Sequence, residues 1–181
     1  MDEIARQLGV SKKTIYKFVS DKNELVIRAV QFQQEEEQAA MQAICSGENN
    51  AIDELFDISS HISEMLTHMH PSVHFDLERY HPDAWEQLIS CQQEQVYACI
   101  SENLEKGKKQ KLYRPDLNSD VIARIYIAKL DVVFDGEMFP ADKYRFAEVY
   151  LEFFRYHIRG IASEKGLNYL IEKVQKERSN Q

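Results

Sequence analysis

Apolar residues along this chain recur three and four positions apart rather than in alternation, so helix is the expected element throughout. Ile4, Ala5 and Leu8 set a first short helix over 2–8, with Asp2 and Glu3 in the first turn, where the helix dipole favours negative charge. Gly9 follows, at a helix end that calls for positive φ. Ser11 then stands as N-cap to a second short helix, KKTIYKFV, because its hydroxyl can accept the free amides of the next turn. Ile15 and Val19, four apart, face the first helix, and Ala5 is small enough to let the two cross closely. Asp21-Lys22-Asn23-Glu24 is a D-x-x-E capping box that opens a long helix reaching about Cys45. The apolar stripe of that helix starts at Leu25, Val26, Ala29, Val30 and Phe32 and thins through Glu35-Glu36-Glu37, a solvated face.

Further along, SGENN at 46–50 ends the long helix, and Ile52, Leu55, Phe56, Ile58 and Ile62 are in register for another from about Ala51 to Met69. Pro71 and Pro82 bracket a short helix, SVHFDLERYH. Another long one runs from Asp83 to about Lys108, ending in KGKKQ, with cations where the dipole favours them. YRPDL turns the chain, and helices follow near 118–134, 141–162 and 167–177. No repeat, low-complexity stretch or sustained period-two pattern interrupts this all-α reading of eight or nine helices.

Two of these helices are apolar around most of their circumference. The first offers Val121, Ile125, Tyr126, Leu130 and Val132 among others, and the second Phe146, Tyr150, Phe153, Phe154 and Ile158. An outer helix of a monomer needs one apolar stripe. The excess predicts one face for the core and another for a partner, a homodimer in which Val121, Ile125, Val132, Phe146, Tyr150, Phe153 and Phe154 form the interface.

Composition narrows the function classes. A chain of 181 residues with 44% hydrophobic and 29% charged residues is an ordinary globular protein. No apolar run is long enough to span a membrane and no leader marks secretion, so a cytoplasmic protein is expected. Cys45, Cys91 and Cys99 are too few and too odd in number for a disulfide framework. On one helix Cys91 and Cys99 would lie roughly 12 Å apart along its axis, beyond the roughly 7 Å a disulfide tolerates. Inert thiols are expected. The net charge of -8 divides unevenly: residues 1–30 hold six cations against four anions, for +2, leaving -10 on the rest. Phosphate contacts are therefore directed to the head.

The head also carries the chemistry. Short helix, glycine turn and short capped helix is the helix-turn-helix pattern, and the outward face of the second helix holds Lys12, Lys13, Thr14, Tyr16 and Lys17. Lys22 is a poor choice for the first turn of the next helix unless that turn holds a phosphate. The string IARQLGVSKKTIYKFVSDKNELV resembles the signature of the TetR (tetracycline-repressor) family over about residues 2–30. By that resemblance Lys12, Lys13, Thr14 and Lys17 face the major groove of a double-stranded, palindromic DNA operator, while Tyr16 and Lys22 hold phosphates. It implies a DNA-binding domain over 1–30 and a ligand-binding and dimerisation domain over 31–181, whose last two long helices make a four-helix dimer interface. It also implies a further helix ahead of residue 2. The sequence as given starts inside the motif, so a two-helix head of low rigidity and weak DNA binding is expected.

The body offers little chemistry. His61, His68, His70, His74 and His81 fall close together, and Glu78-x-x-His81 matches half of a di-iron motif, but no second E-x-x-H completes it. Hydrogen-bonded or solvated histidines are expected, with no metal and no cofactor. No nucleophile motif or phosphate-binding glycine loop points to an enzyme. The resemblance instead implies a small-molecule effector among the body helices, with Phe56, Met65, Phe75, Trp85, Cys91, Tyr97 and Tyr126 as the candidate lining. The alternative is a helical dimerisation and protein-interaction module that does not bind DNA.

Overall fold

The computed structural model describes residues 1–68, 72–133, 135–140 and 142–179, and is all-α. In chain order its helices are α1 (Asp2–Gln7), α2 (Lys12–Ile15), α3 (Lys22–Cys45), α4 (Ala51–His68) and α5 (Ser72–Tyr80). They continue as α6 (Pro82–Lys109), α7 (Ser119–Val133), α8 (Phe146–Ile161) and α9 (Glu164–Ser179). Among the described residues the sole extended pairing is an isolated bridge between Tyr113 and Ala162. The expected helix ends at Met69 and Phe134 lie outside the described residues.

Three boundaries differ from the periodicity, each for a local reason. α2 stops at Ile15, because Lys17 and Phe18 donate to Thr14 and Ile15 three residues back and tighten the chain into turns. α8 starts at Phe146 rather than near 141. The Pro140 carbonyl accepts from Lys143 (2.9 Å) and Tyr144 (3.0 Å), closing a turn, and Arg145 is extended as N-cap. α9 starts at Glu164 because Ser163 caps it, accepting from the Gly166 amide at 3.1 Å.

The chain divides into two compact units, Met1–Ala39 with Pro71–Gln92 and Ala40–His70 with Gln93–Gln181. In the first, Ala5, Ile15 and Val19 are buried, with Met1, Ile4 and Leu25 packed around them. Full burial of an Ile or Val side chain contributes about 1.5–3 kcal/mol, so this cluster is a small one. Leu8, which the spacing assigns to the same seam, is exposed, and so is Phe18. His81 Nδ1 donates to Asn23 Oδ1 (2.7 Å), and the Gln34 amide reaches the Leu88 carbonyl (3.3 Å).

In the second unit α8 lies against α4 and α7. Tyr150, Phe153, Phe154, Ile158 and Ile161 fall on one side of α8 and are buried with Ile52, Leu55, Leu104, Tyr113 and Tyr126. Phe56 meets Phe154 edge-on at 5.1 Å, and Tyr126 packs on Phe153 at 4.8 Å. The polar groups buried here are matched. Asn103 donates to the Ala51 carbonyl (2.9 Å) and to Glu54 (2.8 Å), Lys106 pairs with Glu54, and the Tyr113 hydroxyl lies 2.9 Å from both the Ala51 carbonyl and Asn103 Oδ1. Exceptions among the described residues are Asp53 Oδ1, which has only its ion pair with Lys173 (2.9 Å), Ser101 Oγ and, most deeply placed among aromatic rings, His157 with its Nε2 buried and unbonded. Burial, with Lys129 nearby, pushes its imidazole down to about 4.

Past α6, Lys111 takes a left-handed φ of 61° and the Leu112 amide returns to the Gly107 carbonyl (2.9 Å), ending the helix.

Candidate nucleic-acid interface

The head is organised by its caps. Gly9 has φ 65°, a conformation side chains rarely adopt, and it turns the chain between α1 and α2. Ser11 Oγ accepts the Thr14 amide at 3.1 Å and lies 2.9 Å from Thr14 Oγ1. Thr14 is thus half-buried and engaged in its own helix cap. Lys12, Lys13, Tyr16 and Lys17 are exposed, Lys13 on α2 and Lys17 in the turns after it. Lys12 is not free: its ammonium pairs with Asp2 at 2.8 Å, which holds the carboxyl below its ordinary range and the amine above its own.

The start of α3 carries the second set of contacts. Asp21 Oδ1 accepts the Glu24 amide (2.8 Å), and Glu24 in turn accepts the Ser20 amide (2.6 Å). That amide, the Ser20 hydroxyl and Arg28 together hold the Glu24 carboxyl down to about 2. Lys22 sits exposed in this first turn, beside free helix amides. Four lysines from α2, the turns after it and the start of α3 thus belong to one short, capped segment. Pairing between Lys12 and Asp2 was not legible from spacing.

The residues expected to line an effector site are shared between the two units. Tyr126 is in the core of the second unit, where Phe56 and Met65 pack against that core. Tyr97 also packs there and donates through its hydroxyl to Asp120 (2.6 Å). Phe75, Trp85 and Cys91 belong to the first unit; Phe75 is exposed under the Arg79 guanidinium, and the other two are half-buried. An open depression along one side of α6, lined by Ser101, Glu102, Glu105, Lys106, Lys109 and Gln110, includes none of the seven.

The interface candidates separate cleanly. Val121, Ile125 and Val132 on α7 are 46%, 43% and 42% exposed, while Ala123, Tyr126 and Val133 of the same helix are buried. α7 therefore has a second apolar face. α8 does not: Tyr150, Phe153 and Phe154 belong to the chain's own core, a correction to their assignment to an interface, and Phe146 is half-buried. Breadth of apolar composition in α8 reflects packing against both α4 and α7. His81 is bonded to Asn23, the side chains of His68 and His74 and all of His70 lie outside the described residues, and no group of three metal-ligating side chains occurs among the described residues. No helix among the described residues is long and apolar enough to cross a membrane.

No family model matches the chain. It is 28% identical over 138 residues to an uncharacterized HTH-type transcriptional regulator, YvaF, of Bacillus subtilis (strain 168), covering 76% of this chain and 72% of that one. Among solved structures it is similar to the fatty acid degradation regulator FadR from Bacillus halodurans, with TM-score 0.67, 15% identity, and 87% and 82% of the two chains covered. It is likewise similar to the transcriptional regulator FadR from Bacillus subtilis in complex with stearoyl-CoA, with TM-score 0.65, 15% identity, and 88% and 87% covered. The chain has the all-helical fold of these transcriptional regulators.

Proposed function

We propose that this chain is a DNA-binding transcriptional regulator of the TetR type, with a head over residues 1–30 and an operator affinity controlled by a small molecule bound in its body. One observation carries the reading: a glycine turn at positive φ, a Ser11-capped helix and a doubly capped α3 start display Lys12, Lys13, Lys17 and Lys22 from a single short segment. Lys13, Lys17 and the Thr14 hydroxyl serve the major groove; Tyr16 and Lys22 hold phosphates. Lys12 joins them when DNA displaces Asp2. Likeness to the Bacillus subtilis regulator YvaF supports the assignment.

A twofold homodimer through the exposed face of α7, centred on Val121, Ile125 and Val132, presents two equivalent heads to a palindromic operator. The effector acts by shifting the balance between dimer states that space the heads differently. Stearoyl-CoA, present in one structural neighbour, makes long acyl thioesters the first class to screen. Selection of duplexes from a random-sequence pool by the purified chain is the test. Recovery of a palindrome, bound with steep salt dependence, is expected. A chain that dimerises yet enriches no sequence and binds no duplex at low salt would instead be the protein-interaction module.

A further inference from the structure

Cys45 ends α3 and Cys99 lies within α6, 54 residues away, yet their sulphur atoms are 3.2 Å apart inside the second unit. Both residues are half-buried rather than sealed in the core. A disulfide needs an S–S separation of about 2.05 Å, and the two sulphurs therefore have to close by only about 1 Å. Cys91, the remaining cysteine, belongs to the other unit and has no thiol partner among the described residues. We propose that Cys45 and Cys99 are a peroxide-oxidised dithiol, a modification site whose disulfide fastens the C-terminal end of α3 to α6.

The chemistry assigns different roles to the two sulphurs. At Cys45 the Cys99 S–H, donating to it, favours the thiolate, with Lys106 adding to this against burial and the carboxylates of Glu54 and Glu102. Cys99 is held as the thiol by that same hydrogen bond and by burial. The Cys45 thiolate attacks one oxygen of a hydroperoxide, the O–O bond breaks, and the displaced hydroxide or alkoxide takes up a proton, leaving a sulfenic acid. The Cys99 sulphur then attacks the Cys45 sulphur, the S–O bond breaks, and the hydroxyl departs with the Cys99 proton as water. Two thiols lose two electrons in all, and the peroxide is reduced to water and water or an alcohol. A thiol reductant reverses the step by exchange. α3 and α6 are also the helices whose other ends lie in the first unit, at Lys22 and Pro82. The bond thus restrains the helix that begins at the proposed phosphate-holding lysine, a consequence that rests on the proposed function.

The experiment uses the full chain with Cys91→Ser, treated with a slight excess of hydrogen peroxide. Peptide mapping without reduction is expected to find Cys45 linked to Cys99, with loss of the link on adding dithiothreitol and no link in Cys45→Ser. Closing so long a loop should raise the thermal midpoint by roughly 10 °C. Amide exchange over Gln42–Cys45 should slow about tenfold. Accumulation of sulfinic acid at Cys45 without a link, or links only between chains, would overturn the site; a link that leaves the midpoint and the exchange unchanged would overturn its fastening role. Fluorescence titration of a duplex selected by the reduced protein is expected to separate the two redox forms by at least about tenfold. If neither form binds DNA while the link forms and slows exchange, the regulator reading fails and the dithiol site stands.

Discussion

Lys22→Ala is the sharpest test of the head. Each phosphate neutralised by a cation contributes about 0.9 to the slope of log affinity against log salt. Lys22, the lysine assigned to a phosphate, contributes once in each of the two heads, and its share is read between 50 and 200 mM salt. Lys22→Ala removes one contact from each head and lowers the slope by about 1.8. Over that fourfold change in salt, its affinity should fall about 12-fold less than the parent's. The loss must be the same on a selected palindrome and on a scrambled duplex, because a phosphate contact carries no base information. Lys13→Ala, by contrast, should lose more on the palindrome. Fluorescence anisotropy at five salt concentrations measures both. Parallel lines for Lys22→Ala and parent would show that this lysine is merely solvated. Asp2→Ala gives a control of opposite sign: releasing Lys12 from its 2.8 Å partner should strengthen binding to every sequence.

Further outcomes follow from the packing. Ile125→Glu, placed on the exposed face of α7, should leave the chain folded and shift a micromolar dimer to monomer in sedimentation velocity, whereas Phe153→Glu should unfold it, since that ring belongs to the core; a folded, still dimeric Ile125→Glu protein removes this face from the interface. Gly166→Ala should destabilise the chain by about 2 kcal/mol and lower the thermal midpoint by roughly 4–8 °C, although alanine is the better helix former. Its added methyl would stand 2.0 Å from the Leu112 carbonyl oxygen, and a midpoint that rises would refute the close approach. His157 binds its proton less readily folded, at about 4, than unfolded, at 6.5. The unfolded state therefore takes up more protons between these values, and stability present at pH 7 is lost as pH falls from 6.5 towards 4, by roughly 3 kcal/mol. Urea unfolding of parent and His157→Phe at pH 7 and pH 5 isolates that loss; equal pH dependence of the two would exclude His157 as its source.

What the sequence makes legible here is what is local. Gly9 turns the chain at positive φ, and Ser11 and Asp21 each cap the amide three residues on as their spacing predicts. Glu24 reaches back to the Ser20 amide, one residue beyond the expected Asp21 amide. Periodicity also finds α7 and α8, but it cannot allocate their faces. Val132 and Val133 are the same residue type, and only the packing of α7 decides that one is exposed and the other buried. The same ambiguity lets periodicity alone place Tyr150, Phe153 and Phe154 at a partner, although the chain's own core buries them. Contacts across about fifty residues leave no periodic trace at all. The thiols of Cys45 and Cys99 and the Glu54–Asn103 hydrogen bond are of this kind, brought together by helix crossings that no single segment encodes. Asp2 and Lys12 escape for a subtler reason: the glycine turn between them sets their distance.

The left-handed Lys111 marks a joint tied to the start of α9. Beside it the Ser163 hydroxyl donates to the Lys111 carbonyl (2.8 Å), the Ser163 amide to Leu112 (2.9 Å), the Arg114 amide to Ile161 (2.9 Å) and the Lys165 ammonium to Gln110 (3.2 Å). A helix ending in free solvent can fray and absorb a push along its axis. α6 cannot, since its last turn is welded to the boundary between α8 and α9. A push along α6 therefore bears on that boundary through these hydrogen bonds. Replacing the weld with a slack loop would leave each helix intact while uncoupling their movements.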